Sequence, residues 1–199
     1  MFSGAANVTG GSVIVNPNSP HYDALHDAIR SRYDSVSCFP KDTSVLRANS
    51  MNLGERVKRA DASTLDLMKV FTDHNAVVRV IHPSRVPESR NYERHRRRDG
   101  GYGNVFSLVF RNRGTAEHFY DNLDICKGAS FGTNFTIAIP FVQLTAYDGD
   151  ERENIDQLGL PKHIIRIFVG LESPDRIHAK MEAALGEVET FELSAGSEF

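Results

Sequence analysis

The segment HIIRIFVGLE, residues 163–172, decides how the chain is read. Strict alternation sends Ile165, Ile167 and Val169 to one side and Ile164, Arg166 and Phe168 to the other. The first face is entirely β-branched and suits a sheet packed on a core. The second carries one guanidinium, permanently charged and presenting a planar fork of donors. A half-buried cation of this kind needs an acidic partner. Two kinds are open: an internal side chain, such as Glu172 or a residue of the acidic loop, or the carboxylate of a ligand. On residue pattern alone the internal pair is the favoured reading.

Downstream, Ser173 as N-cap, Pro174 at N1, the stripe Ile177, Met181 and Leu185, and Gly186 at C′ predict a last helix, with residues 187–199 an acidic tail. Upstream, KGASFGTNFTIAIPF (127–141) reads as a loop entering an extended apolar segment, followed by the acidic DGDEREN (148–154). Thr115 caps a predicted helix with the stripe Ala116, Phe119, Tyr120 and Leu123. NVFSLVF (104–110) puts Phe106, Leu108 and Phe110 on one strand face, and VVRVIHP (77–83) is a strand ended by Pro83. Leu53, Val57, Ala60, Thr64, Leu67, Met68 and Phe71 recur at steps of three and four and predict a long helix. Near the start, glycine-rich MFSGAANVTGG (1–11) runs into a predicted strand, SVIVN (12–16). Ser19 and Pro20 then open a helix with Tyr22, Leu25, Ile29 and Tyr33 on one stripe, broken at CFPKD (38–42).

From residue 51 the order is helix, strand, strand, helix, extended segment, strand, helix. Adjacent strands with no helix between them predict an α/β chain of the α+β kind, a mostly antiparallel sheet with helices on one side.

The composition excludes several classes. With 199 residues, 40% hydrophobic, 25% charged and a formal net charge of −3, the chain is of ordinary soluble type and has no global basic field for nucleic acid or acidic membranes. No apolar run approaches the roughly 20 residues of a membrane span, and the expected location is cytoplasmic. Cys38 and Cys126 lie far apart without a CxxC and read as buried free thiols. Among eight histidines no pair has HExxH spacing, and His21, His26, His74, His82 and His95 read as surface or helix-end residues, so no metal is expected. No GxSxG elbow is present. RHRRRD (94–99) reads as a solvated loop. Within GGYGNVFS, Gly101, Tyr102, Gly103 and Val105 fit the RNA-recognition octamer. Asn104 and Ser107 stand where base-stacking aromatics belong, so an RNA-binding α/β domain stays only as an alternative.

The stretch KGASFGTNFT (127–136) supplies Gly128, Ala129, Ser130, Gly132 and Thr133, small residues that let a backbone approach an anion and offer it N–H groups. Taken with SGAANVTGGSVIVNP, GGYGNVFSLVF, FYDNLDICKGASFGTNFT and HIIRIFVGLE, in that order, it makes the chain resemble the carboxy-terminal half of the pyridoxal-phosphate enzymes of cysteine and methionine metabolism. The resemblance is nearest to fungal cystathionine gamma-synthase-like proteins and extends to about residue 186. It implies the C-terminal domain of a fold-type I PLP-dependent transferase or lyase of trans-sulfuration, with pyridoxal 5'-phosphate as cofactor. It also implies gamma-replacement on an O-acyl-homoserine by cysteine. Residues 1–50 would be the trailing part of the large PLP-binding domain and 51–186 the small domain. By the same resemblance Arg166 anchors the substrate α-carboxylate, helped by Ser130 and the Phe131 backbone. The Schiff-base lysine and the other cofactor contacts are expected upstream of residue 1, which would leave the chain inactive alone. Implied partners are an amino-acid substrate and a homo-oligomer, or a full-length relative on which the chain docks as a non-catalytic module. Ala5, Ala6 and Asn7 stand where many relatives have histidine or serine and aspartate, Phe131 replaces the common leucine, and YDGDEREN (147–154) departs from the related stretch.

Overall fold

The computed structural model describes residues 2–33, 38–145, 155, 157 and 159–196. The chain divides into two compact units, residues 2–51 and residues 52–199.

The first unit holds two helices, α1 (Tyr22–Arg32) and α2 (Pro40–Asn49). α1 starts two residues later than the Ser19–Pro20 pair suggests. Ser19 instead closes the preceding turn, its hydroxyl accepting from the His21 N–H at 3.2 Å. α2 was not anticipated; Pro40 sits at its N-terminus, where a missing N–H costs nothing. The predicted strand SVIVN is not a strand. It has no ladder partner among the described residues, and Val13 and Ile14 are 77% and 89% exposed. Gly4 is the only buried residue among the described residues of this unit.

The second unit is built on a five-stranded sheet in the order β1-β2-β5-β4-β3. The strands are β1 (Val77–Ile81), β2 (Val105–Phe110), β3 (Cys126–Lys127), β4 (Ile137–Pro140) and β5 (Ile165–Phe168). All pairings are antiparallel except β3 with β4. β5 is central, with Arg166 directly between Ser107 of β2 and Ile139 of β4.

The expected alternation holds. Ile165, Ile167 and Val169 join Phe106, Leu108 and Phe110 in the main core. Three helices cover that face: α3 (Leu53–Thr72) through Leu67, Met68 and Phe71, α5 (Arg113–Asn122) through Ala116 and Phe119, and a long C-terminal helix, α7 (Pro174–Gly196), through Ile177, Met181, Leu185 and Val188. Two further short helices are α4 (Ser89–Glu93) and α6 (Phe141–Thr145). α6 lies against one end of the opposite face, where Val142, Val109, Ile155 and Ile164 form a smaller cluster with Phe141 and Ile81 packed on it.

Several local expectations are corrected. α7 runs Pro174–Gly196, so Gly186 does not end it and most of the supposed tail is helix. Continued packing explains this: Val188 is fully buried and Phe191 stacks on His118 with centroids 4.6 Å apart, which outweighs the roughly 1 kcal/mol cost of a mid-helix glycine. The cap of α5 is Asn112, accepting from the Thr115 N–H at 2.9 Å, while the Thr115 hydroxyl reaches Glu192 at 2.9 Å. Cys38 and Cys126 are exposed rather than buried; Cys126 lies on the two-residue edge strand. His82 is buried, with its ring nitrogens 2.8 Å from the Ser84 hydroxyl and 3.2 Å from the Gly103 carbonyl. Ser173 and Pro174 do open α7, with the Ile177 N–H bonded to the Ser173 carbonyl at 3.1 Å. The acidic stretch DGDEREN lies outside the described residues.

Candidate carboxylate-binding site

Arg166 projects from the sheet face opposite the main core, a direction set by the alternation of β5. Its guanidinium carbon lies 3.7 Å from the centroid of the Phe141 ring and 5.4 Å from that of Phe131. Among the described residues it makes no hydrogen bond and no ion pair. Partial burial pushes its pKa down from the ordinary arginine value, and a guanidinium starts so high that it stays charged.

Of the internal partners that the sequence offers, Glu172 is engaged elsewhere, and the acidic loop 148–154 lies outside the described residues. Glu172 accepts from the Thr136 N–H at 2.6 Å and from the Thr136 hydroxyl at 2.8 Å. That hydroxyl in turn accepts from the Gly170 N–H at 3.1 Å. The Leu171 N–H donates to the Asn134 carbonyl at 2.8 Å, and the Asn134 side chain accepts from Arg56 at 3.0 Å. Gly170 has no room for a side chain, since a Cβ there would stand 2.5 Å from the Phe135 backbone and 2.6 Å from the Asn134 oxygen. The VGLE segment is thus the seat on which residues 133–136 are clamped. Those residues carry the loop holding Ser130 and Phe131.

At the other end of the loop, the Gly128 N–H bonds to the Ala138 carbonyl at 3.0 Å, and Gly128 takes a positive φ of 148°. Phe131, 45% exposed, comes against Arg166, while Ser130 is half-buried and has no hydrogen bond among the described residues. Sequence reasoning missed Phe141. The signal was available: Ile139 faces Arg166 across the ladder, and a residue two further on belongs to the same side.

The charged excursion 89–103 is folded on itself. Asp61 accepts from the Tyr102 and Gly103 N–H groups at 2.6 and 2.8 Å, and Gly101 leaves space for that carboxylate, which a Cβ would meet at 2.2 Å. Tyr102 stacks on Tyr92 at 5.7 Å, lies under Arg96 at 4.9 Å and bonds through its hydroxyl to Glu93. This bond and Arg96 hold the Glu93 carboxyl below its usual range.

The family model for Cys/Met metabolism PLP-dependent enzymes matches residues 2–186. The chain belongs to that family.

Among its relatives, a cystathionine gamma-synthase-like protein, ankD, of Aspergillus thermomutatus is 41% identical over 95% of this chain and 33% of its own length. Cystathionine gamma-synthase of Neurospora crassa is 36% identical over 89% of this chain and 28% of its own. The chain therefore spans about a third of the curated relatives it matches. The crystal structure of cystathionine gamma synthase from Xanthomonas oryzae pv. oryzae in complex with aminoacrylate and cysteine superposes with a TM-score of 0.78. That match has 18% identity and covers 95% of this chain and 48% of that one, which establishes the fold-type I architecture.

The family's cofactor requires a lysine amine and a cradle for its phosphate. Among the described residues, Lys69 is paired with Asp66 at 2.9 Å, Lys180 with Asp124 at 2.7 Å, and Lys127 donates to the Asp121 carbonyl at 3.0 Å. Lys41, Lys58 and Lys162 are exposed. None of these is a buried amine set beside Arg166, so the described residues do not compose the cofactor's own site. No group of three or more potential metal ligands occurs among the described residues, and none of their helices is long and apolar enough to cross a membrane.

Proposed function

We propose that this chain is the substrate-carboxylate-binding part of a cystathionine gamma-synthase-like enzyme of trans-sulfuration, whose reaction is gamma-replacement on an O-acyl-homoserine by cysteine. The observation carrying this reading is the Arg166 guanidinium, charged and partly buried, with no acidic partner among the described residues while Glu172 is held by Thr136. An amino-acid carboxylate completes such a fork with two parallel hydrogen bonds, which orients the substrate as well as holding it. Ser130 and the Phe131 N–H are the assisting donors. Pyridoxal phosphate, when bound in this family, supplies the electron sink; this chain's share is to bind the acid end and fix the direction in which the amine points. On this reading residues 1–50 are the trailing part of the large domain and residues 51–186 the small domain.

The test is reconstitution. The chain is co-expressed with the portion of the Neurospora crassa relative that it does not match, and cystathionine formation from an O-acylhomoserine and cysteine is measured. Activity that collapses with Arg166→Ala supports the reading. Activity indifferent to that substitution, or a borohydride-fixed lysine adduct formed by this chain alone with pyridoxal phosphate, overturns it.

A second reading, a docking module for a full-length relative, is favoured by the exposed apolar residues of the first unit: Val13, Ile14, Leu25, Tyr33 and Phe39. Failure to co-purify with such a relative would remove it.

A further inference from the structure

We propose that Phe141, together with Phe131, clamps the faces of the Arg166 guanidinium, making Phe141 a positioning residue that holds the donor fork ready for a carboxylate. This rests on the carboxylate reading above and adds to it the device that fixes the cation. A guanidinium has two weakly hydrated faces and an edge carrying all its N–H donors. An acidic partner would consume donors at the edge and neutralise the charge. An aromatic ring satisfies a face through its quadrupole and takes no donor. Phe141 does this at 3.7 Å, and Phe131 adds a second ring at 5.4 Å. The nearer ring is itself anchored: the Phe141 N–H bonds to the Ile164 carbonyl at 3.1 Å, and its side chain packs on the cluster of Val109, Val142 and Ile164. Phe131 is carried by the loop that Leu171 holds in place through Asn134, and Gly170 and Glu172 through Thr136. Both walls therefore have fixed supports, and the fork is ordered before a ligand arrives.

The test uses the full chain, 15N-labelled, with the Arg166 Nε–H signal identified through Arg166→Lys. In the wild type this proton is expected to be shifted by the ring current and its guanidinium to rotate slowly. Phe141→Leu loses both signatures, Phe141→Tyr retains them, and Phe131→Leu gives a smaller loss. Titration with L-alanine, against L-alaninamide as the carboxylate-free control, then reads binding. Phe141→Leu weakens L-alanine binding about 3- to 10-fold and Phe141→Tyr restores it to within about twofold. Signatures or affinity unchanged in Phe141→Leu overturn the clamp. A clamp that behaves as expected in a protein that does not distinguish L-alanine from its amide overturns the carboxylate reading instead. If Phe141→Leu fails to fold, the Phe131→Leu and Phe141→Tyr pair decides on the same signals.

Discussion

Glu172 and Thr136 are joined twice, through the threonine N–H at 2.6 Å and its hydroxyl at 2.8 Å, with the threonine almost wholly buried. The pair ties the end of β5 to the start of β4 and leaves Arg166, six residues before Glu172, without its nearest acidic candidate. Removing the carboxylate strands a buried donor. Glu172→Ala should cost about 2 kcal/mol of stability, with Glu172→Gln recovering part of it, as read from urea unfolding midpoints. Because the role is structural, Arg166 binding should weaken only as far as the loop loosens.

Gly170→Ala is a sharper test of the same seat. The added carbon meets the Phe135 backbone at 2.5 Å, a contact that flexible side chains cannot relieve. Destabilisation of about 2–3 kcal/mol is expected by chemical denaturation. A neutral result would mean that strand β5 and the loop shift freely past each other.

The pH dependence of stability should bear the mark of His82. Burial penalises its imidazolium, so its pKa in the folded chain lies below the ordinary 6.5. Above pH 6.5 the ring is neutral whether folded or unfolded, and this contribution to stability is intact. As pH falls below 6.5 the unfolded chain takes up the proton first, and stability declines toward the folded-state pKa. Urea midpoints at pH 7.5 and 5.5 should differ in that direction, and the difference should shrink in His82→Asn, which removes the titrating ring.

Much of the second unit was legible from alternation alone. Phe106, Leu108 and Phe110, and Ile165, Ile167 and Val169, line the core because a two-residue period admits one assignment of faces. Ser173 and Pro174 marked a helix start by chemistry that works locally. The failures are of a different kind. Gly186 has the local signature of a helix end, and Val188 and Phe191 override it through tertiary contacts. SVIVN has strand propensity, and a strand also requires a neighbour to bond with. His82 looked like a surface residue because its partners are the Gly103 carbonyl, 21 residues away, and a nearby serine. At the site, the direction of Arg166 followed from its strand. Of what surrounds it, Phe141 follows from the alternation of β4, whereas Phe131 meets it only through the folding of a loop.

Arg166→Lys separates charge from geometry. It keeps the cation and loses the planar fork and its ring contacts. In the reconstituted enzyme it should lower kcat/KM by roughly 100-fold with little change in unfolding midpoint, and Arg166→Ala should lower it further.

The most direct measurement of the central claim is the affinity of the reconstituted protein for its amino-acid substrate and for the matching carboxamide, in wild type and in Arg166→Ala. The account predicts that wild type prefers the carboxylate by at least about tenfold and that Arg166→Ala loses this preference. Equal preference in the two proteins would contradict it.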